Sequence, residues 1–530
     1  MAKTGFDIII RGGMVFDGSG SDPFAADVGI TGDRFSFIGR AGGAEAAMFI
    51  DAQGLAVAPG FIDTHSHSDF TILADPRAEG KISQGITTEI IGNCGMSAAP
   101  LFDKACERRE EDLKELGISE RWHTLEEYFR LVVKRGIAVN MAVLAGHGNI
   151  RGSVVGYDDR EPEAREFSEM KRLLNETLDQ GAIGLSTGLI YPPGLFADTD
   201  ELVGLSRPLA ERNLIYTSHM RSEGDELLEA AREVVRIGRE SGARVHISHI
   251  KTAGQKNWHK ADDLISLLLE TRLSGILITC DRYPYTASST DLDALLPAWT
   301  YDGGNDAELK RLQDPVQRKR IAREMLDQAS GSDYWKRVTV ASVASEKNRW
   351  MEGKSIEDIS EKLGLSPIEA VFQVLMEERL RVGAIFASMN EENLRKFLSL
   401  PFCMVGTDSS ARSFDGPTRT GKPHPRGFGA FPRLIGGFVR EEGLFSLQEA
   451  VRRATSLAAE TFGLRGRGSI REGMFADLVI FDPGRVRDRS TFDDPFQGPE
   501  GVHYVLVNGV PVVWEGEANG RLQGRILGVS

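Results

Sequence analysis

Short apolar segments alternate with helical patterns through the middle of the chain. Eight of these segments have the length and composition of buried strands, namely residues 55–62, 87–91, 141–144, 183–185, 214–216, 245–247, 276–279 and 402–405. Helical patterns lie between most of them, and some begin with a capping box such as Thr124 and Glu127. Eight buried strands with helical crossovers favour an α/β fold of the (β/α)8, or TIM-type, barrel class over an open sheet.

Both ends of the chain have a different sequence pattern, which is typical of short β-strands. Short β-rich segments near the start and the end are separated by glycines, at residues 6–11, 14–16, 27–31, 35–40, 478–481, 504–507 and 510–514. Asn508-Gly509 is a strong hairpin turn signal. We therefore predict that residues 1–57 and 468–530 meet in one small β-sandwich beside a barrel formed by residues 58–467.

A long stretch separates the seventh and eighth predicted strands. It covers residues 285–400 and holds helical patterns at 316–328 and 366–378. Such a length is unusual for a connection between two barrel strands. We expect an inserted subdomain or lid.

Composition and net charge exclude several classes of protein. Of 530 residues, 41% are hydrophobic and 26% are charged, which is typical of a globular chain. The formal charge of −14 argues against binding to nucleic acid or to anionic membranes. No apolar run reaches the ~20 residues of a membrane helix, no secretory signal is evident, and four scattered cysteines do not form a disulfide framework. We expect a soluble cytoplasmic enzyme.

The strongest local motif is Pro-Gly-Phe-Ile-Asp-Thr-His-Ser-His at residues 59–67. His65 and His67 are two residues apart at a strand end, so both rings point to the same side. Two imidazoles at the carboxyl edge of a barrel strand suit a metal ion. Because the pattern is short, an isolated pair of this kind is equally compatible with ordinary core or surface histidines.

Other strand ends supply further metal-binding groups. Cys94 follows the second predicted strand, His219 the fifth, His249 the sixth and Asp408 the eighth. The carboxyl ends of barrel strands meet at one face, so we expect these side chains to converge with the two histidines. His246 falls on the opposite face of its strand from His249 and is predicted to be a core histidine.

The residue types in this set indicate zinc and hydrolysis. Neutral imidazoles and a thiolate suit the borderline-soft Zn²⁺ ion, which lowers the pKa of bound water to roughly 7. A carboxylate is then needed to accept the proton of the water and to transfer it to a leaving nitrogen. We assign that role to Asp408. The alternative is that Asp408 is only a metal ligand, and the two roles can coexist.

At this point the sequence resembles the amidohydrolase superfamily, and within it the N-acyl-D-amino-acid deacylases, or D-aminoacylases. The resemblance spans nearly the whole chain and is specific in several motifs. These are Gly-Asn-Cys-Gly at 92–95, Gly-Ala-Ile-Gly-Leu-Ser-Thr-Gly-Leu-Ile-Tyr-Pro-Pro at 181–193, Ser-His-Ile-Lys at 248–251, Asp-Arg-Tyr-Pro-Tyr at 281–285 and His-Pro-Arg at 424–426.

The resemblance implies how the ligands are divided. Many related barrels bridge two metals with a carbamylated lysine at the end of the fourth strand, but residues 184–188 contain no lysine. The deacylases use a cysteine instead, and Cys94 corresponds to it. Cys94, His219 and His249 would then hold one tight zinc, while His65 and His67 form a second, weaker site. The resemblance is also compatible with assembly of several copies of the chain into a homo-oligomer.

The substrate implied by the resemblance is an N-acyl-D-amino acid, whose α-carboxylate must be held by positive or hydrogen-bonding groups. Lys251, Tyr283 and Ser289 are carried over as carboxylate contacts, together with Arg426. The nearest alternative is a cyclic amidase of dihydropyrimidinase or dihydroorotase type, which usually needs the absent lysine. A catalytically inactive scaffold protein is the other alternative, but such a protein would be expected to have lost metal ligands.

Overall fold

The computed structural model of the protein describes residues 5–329, 331 and 333–528. The first four and last two residues of the predicted β-sandwich segments, and residues 330 and 332 of the predicted insertion, lie outside the described residues. The fold is mixed α/β. No helix in the described part of the chain is long and apolar enough to cross a membrane.

Strands from both ends of the chain pair in one nine-stranded sheet, called here the terminal sheet. Its strands are Phe6–Val15, Phe24–Thr31, Arg34–Gly39, Ala46–Asp51, Ala56–Pro59, Leu478–Phe481, Val502–Val507, Val510–Trp514 and Glu517–Ala518. The two ends meet where Leu478–Phe481 pairs antiparallel with Ala56–Pro59. Apolar side chains from both ends, including Ile8, Ile10, Leu478 and Ile480, are buried in one cluster.

The middle of the chain forms parallel strands, called here the central strands. They are Phe61–Asp63, Ile86–Ile91, Asn140–Val143, Ala145–Gly146, Gly184–Gly188, Ile215–His219, Arg244–Ile247, Ile278–Arg282 and Cys403–Val405. They fall into two sheets by strand pairing. The amide of Thr64 donates to the carbonyl of Val405 (3.3 Å), and the amide of Ile183 donates to that of Val143 (2.8 Å), so the two sheets are joined at both edges.

Helices lie between the central strands and after the last of them. They are Thr71–Ala74, Glu79–Ile82, Asp103–Glu115, Leu125–Arg135, His147–Val154, Ala164–Asp179, Thr199–Glu211, Leu227–Ser241, Ala261–Leu273, Glu391–Leu398, Arg426–Arg433, Leu434–Glu441 (a π-helix), Leu447–Ala454 and Ser456–Phe462. The predicted capping box at Thr124 and Glu127 is present and starts the helix Leu125–Arg135.

The segment between Ile278–Arg282 and Cys403–Val405 has its own sheet and core. Antiparallel strands Ser288–Asp291, Val338–Val343 and Val382–Phe386 pack with the helices Asn305–Gln313, Pro315–Gln328, Ile356–Leu363 and Pro367–Glu377. Phe372 and Val340, both fully buried, belong to a hydrophobic cluster separate from that of the central strands. This segment is called the insertion below.

Several strand boundaries differ from the sequence prediction. The expected strand 55–62 is two strands, Ala56–Pro59 in the terminal sheet and Phe61–Asp63 among the central strands. Gly60 separates them, and any Cβ at this position would meet Thr87. The two strands expected at 6–11 and 14–16 are one strand, with a register shift between Ile10 and Gly13. The prediction also missed the strand Ala46–Asp51, although residues 46–50 form a continuous apolar run.

The tail of the chain leaves the terminal sheet. Its last strand, Ile526–Leu527, pairs in parallel with Asn140–Val143. The side-chain oxygen of Asn140 accepts the amide of Arg525 (3.0 Å), which fixes the register. The terminal segment is therefore connected to the base of the central strands as well as to its own sheet.

Candidate metal centre and catalytic chamber

The thiol of Cys94 lies at the centre of three imidazoles. Its Sγ atom is 3.3 Å from Nε2 of His65, 3.6 Å from Nδ1 of His219 and 3.5 Å from Nε2 of His249. All four side chains are buried. The strand ends that the sequence places far apart thus bring these groups together.

These separations fit a tetrahedral zinc ion. With Zn–S of ~2.3 Å and Zn–N of ~2.0–2.1 Å, adjacent S and N donors of a tetrahedron are separated by about 3.5 Å. The observed 3.3–3.6 Å distances agree with that value. The donor set of one thiol and neutral ring nitrogens is also the set that zinc prefers. The residues present therefore fit this ion: His65, Cys94 and His249 each offer a ligand atom within 4.8 Å of the others, and His219 adjoins them through its contact with Cys94.

A second group of donors adjoins the first. Oδ1 of Asp408 is 3.1 Å from Nε2 of His67 and 3.7 Å from Nε2 of His65. One ligand atom from each of the three lies within 4.8 Å of the others, which is close enough for a shared ion. His65 belongs to both groups, because its Nε2 also contacts Cys94.

Three of these residues have a left-handed backbone. Cys94, His249 and Asp408 have φ values of +53°, +37° and +50°. Residues other than glycine rarely adopt such angles, which cost free energy and persist only where the surroundings hold them. Each residue lies two or three positions beyond the end of a central strand, so the turn that follows the strand also directs the side chain towards the centre.

The charge state of the centre follows from its neighbours. Burial raises the pKa of the Cys94 thiol, but His65, His219 and His249 outweigh it and hold that pKa well below its usual range. Burial likewise raises the pKa of Asp408, and the Arg426 guanidinium with the nearby imidazoles more than reverses this. The structure therefore favours a thiolate at Cys94 and an ionised carboxylate at Asp408, with the Arg426 guanidinium beside that carboxylate.

Glu223 is a residue of the centre that the sequence analysis missed. Its Oε1 lies 2.9 Å from Nδ1 of His249, and its Oε2 lies 3.8 Å from Nε2 of His219. It also forms an ion pair with Lys251. The sequence offered one indication of its role, which is its position four residues after His219 in the loop that follows the strand.

Asp281, at the end of the strand Ile278–Arg282, lies close to three histidines. Its Oδ1 accepts the backbone amide of His249 (2.6 Å), and its Oδ2 lies 2.8 Å from Nε2 of His246 and 3.5 Å from Nδ1 of His65. The prediction that His246 is a buried core histidine is confirmed. Asp281 was part of a family motif, but its contact with His65 depends on the fold.

The centre opens into a chamber of about 380 Å³. Lys251, Ser289 and Arg426, which were predicted to bind a carboxylate, line it, whereas Tyr283 does not. Tyr283 is buried, and the guanidinium of Arg426 lies over its ring at 4.4 Å. Residues of the insertion complete the wall, including Ser342 and Gly383.

The predicted carboxylate contacts have protein partners in the structure. Lys251 pairs with Glu223, and Nη1 of Arg426 lies 2.9 Å from Oδ2 of Asp408. The Ser289 hydroxyl donates to the carbonyl of Ala384 (3.0 Å).

Arg412 is a further cation that lines the chamber. Its Nη1 donates to the carbonyls of Thr418 (3.0 Å) and Thr420 (3.2 Å), and within the described residues it has no carboxylate partner. Burial alone lowers its pKa to about 10. The sequence analysis did not single it out.

Comparison with known proteins places these features in a family. The model of the amidohydrolase family matches residues 48–265 and 319–513. The chain is 36% identical over 522 residues to a D-aminoacylase of Alcaligenes xylosoxydans xylosoxydans, covering 98% of this chain and 97% of that protein. It is also 36% identical over 521 residues to an N-acyl-D-glutamate deacylase of the same organism, covering 98% and 96%.

A solved structure of a related protein also matches this chain over nearly its full length. The N-acyl-D-glutamate deacylase of Bordetella bronchiseptica, in complex with zinc and a phosphonate inhibitor that mimics the tetrahedral intermediate of its reaction, superposes with a TM-score of 0.84. It shares 33% identity, covering 99% of this chain and all of that one. The extent of these matches confirms the resemblance seen in the sequence motifs: the chain belongs to the N-acyl-D-amino-acid deacylase family of metal-dependent amidohydrolases.

Proposed function

We propose that this chain hydrolyses the amide bond of N-acyl-D-amino acids and releases a carboxylate and a free D-amino acid. One observation carries the proposal. The Cys94 thiol has three imidazole nitrogens within 3.3–3.6 Å, next to the carboxylate of Asp408 and at the base of a chamber. The family membership supports the same chemistry.

We assign Cys94, His219 and His249 to one tightly bound zinc and His65 and His67 to a second, weaker site. The approach of Asp408 to His65 and His67 supports a role for its carboxylate as a ligand of the second site as well. When bound, zinc would polarise the acyl carbonyl and lower the pKa of a water molecule to roughly 7.

Asp408 is the proposed general base and acid. Its low pKa keeps it ionised near neutral pH, so it is in the form that accepts a proton from the attacking water. The same carboxyl group then donates that proton to the departing amine. Its left-handed backbone and its contact with His67 hold it at the edge of the metal centre.

The substrate α-carboxylate would bind among the cations of the chamber, where Lys251, Ser289 and Arg426 lie, with Tyr283 behind Arg426. Hydrogen bonds to charged groups contribute ~1.5–3 kcal/mol each. Since Lys251 and Arg426 are already paired with acids, we add Arg412 to this set. Its guanidinium has no carboxylate partner among the described residues, so an anionic substrate group would compensate its charge.

The finer architecture is also part of the proposal. We interpret the central strands as a (β/α)8 barrel of residues 58–467, the terminal sheet as a domain of residues 1–57 and 468–530, and residues 285–400 as a lid over the acyl or side-chain end of the substrate. The joined edges of the two central sheets and the insertion residues in the chamber wall support this interpretation.

A metal analysis and one substrate panel test the function. Purified protein is analysed for zinc and then assayed with N-acetyl-D-amino acids, their L-enantiomers, dihydrouracil and hydantoin. We expect about one tightly held zinc per chain and hydrolysis of D-substrates alone. Hydrolysis of the cyclic amides instead would favour a cyclic amidase, and a zinc-loaded protein without activity on any of them would contradict the proposal.

A further inference from the structure

A fully buried lysine lies beneath the metal centre. Lys81 belongs to the short helix Glu79–Ile82 and is 0% exposed. Its Nζ lies 2.8 Å from Oδ2 of Asp63 and 2.8 Å from Oε1 of Glu89. A buried ammonium is stable only where carboxylates and hydrogen bonds replace its water, and these two acids meet that need.

The other contacts of Lys81 reach the segments that carry the catalytic groups. Its Nζ donates to Oγ1 of Thr407 (2.8 Å) and to the carbonyl of Ser409 (2.8 Å), the two neighbours of Asp408. It also donates to Oγ of Ser66 (3.1 Å), which lies between His65 and His67. A single ammonium therefore joins the His65–His67 segment to both sides of Asp408.

The same network fixes the backbone around Asp408. Oδ1 of Asp63 accepts the amides of His65 (3.2 Å) and Thr407 (2.8 Å), and the amide of Asp408 donates to the carbonyl of His65 (2.7 Å). Asp408 itself has φ of +50°, a conformation that must be held by its surroundings. Lys81 anchors Asp63 and both neighbours of Asp408, so it is placed to supply that constraint.

From these contacts we infer that Lys81 is a positioning residue, which holds Asp408 in its left-handed conformation so that its carboxylate faces His67 and the metal centre. Lys81 does not touch the chamber. It acts through Thr407, Ser409 and Asp63. The catalytic consequence of the inference rests on the proposed role of Asp408, whereas the structural consequence does not.

The test uses Lys81→Met, which keeps the length of the side chain and removes the ammonium. The matched control is Arg467→Met, because Arg467 is also buried and paired with a buried acid, Asp477, but lies away from the chamber. Both variants are expected to lower the unfolding temperature. Only Lys81→Met should lower kcat on the wild-type D-substrate, by roughly 100-fold, which is typical of a misplaced catalytic group, with KM and zinc content retained.

Crystal structures of the two variants give a readout that does not depend on substrate. In Lys81→Met we expect Asp408 to leave the left-handed region and its Oδ1 to move beyond hydrogen-bond distance from Nε2 of His67. An unchanged Asp408 would overturn the inference even if kcat falls, and so would an equal loss of kcat in Arg467→Met. If Lys81→Met does not fold, Lys81→Gln is examined for the same displacement. If the wild type hydrolyses no D-substrate, the proposed function fails while the crystallographic comparison still decides the role of Lys81.

Discussion

Oδ2 of Asp408 lies 2.9 Å from Nη1 of Arg426, so the proposed proton carrier is bound to a cation on one side while Oδ1 faces the histidines on the other. This pairing stabilises the ionised carboxylate. It also leaves Oδ1, which contacts His67, as the oxygen that faces the histidines.

Arg426→Gln should shift the pH dependence of turnover. Arg426 lowers the pKa of Asp408, so its removal raises that pKa and the base form is lost at a higher pH as the solution is acidified. The acidic limb of the kcat profile should therefore move to higher pH. Arg433→Gln is the control, since Arg433 lies on the same helix but pairs with Asp488. An acidic limb that does not move would show that Asp408 is not the titrating base.

Asp408→Asn should separate catalysis from metal binding. The amide cannot accept the proton of the attacking water, so we expect kcat to fall by roughly 10²–10⁴-fold, the usual contribution of a general base. Zinc held by Cys94, His219 and His249 should remain, as measured by metal analysis of the purified variant. A variant that retains turnover would refute the assignment of Asp408.

Cys94→Ala should remove metal and activity together. Cys94 lies at the centre of the imidazole cluster, and we expect zinc affinity to fall by more than the roughly 100-fold that loss of a supporting residue can cause. Cys106→Ala is the control, because Cys106 is a half-buried residue of the helix Asp103–Glu115. Full zinc content with normal turnover in Cys94→Ala would show that the ligand assignment is wrong.

Asp281→Asn should weaken zinc binding without removing a ligand. Asp281 accepts the backbone amide of His249 and lies 3.5 Å from Nδ1 of His65, so it holds the His249 backbone and places a negative charge beside the His65 ring. Loss of a residue that supports metal ligands typically lowers metal affinity by roughly 10–100-fold. Competition with a chelator measures the effect, and Asp488→Asn, which alters an acid that contacts no proposed ligand, should leave the affinity unchanged.

Phe372→Ala tests whether the insertion is a separate unit. Phe372 is fully buried in the core of the insertion, and its truncation should cost about 3–5 kcal/mol of local stability. We expect unfolding of the insertion at lower temperature, seen by hydrogen exchange, while the zinc content is retained. Loss of zinc at the same temperature would indicate that the insertion and the central strands unfold as one unit.

The sequence by itself was sufficient for the mixed α/β class, for the family and for naming side chains that the structure brings together. His65, His67, Cys94, His219 and His249 could be identified because each follows a short apolar strand, and the ends of parallel strands meet at one edge. Local patterns of this kind also located both halves of the terminal sheet and the insertion. The exact strand ends near Gly60 could not be read, because they depend on contact with Thr87.

Only the tertiary structure decided which charged groups work together. Lys81 and Arg412 look like ordinary polar residues in the sequence. Glu223 lies four residues after His219 and Asp281 belongs to a family motif, but neither position shows which groups these carboxylates contact. Their roles arise from contacts between residues that are distant in the chain, such as Lys81 with Thr407. The periodicity of apolar residues indicates which face of a helix or strand is buried. The pairing of buried charges instead depends on distances between side chains that exist only once the chain has folded.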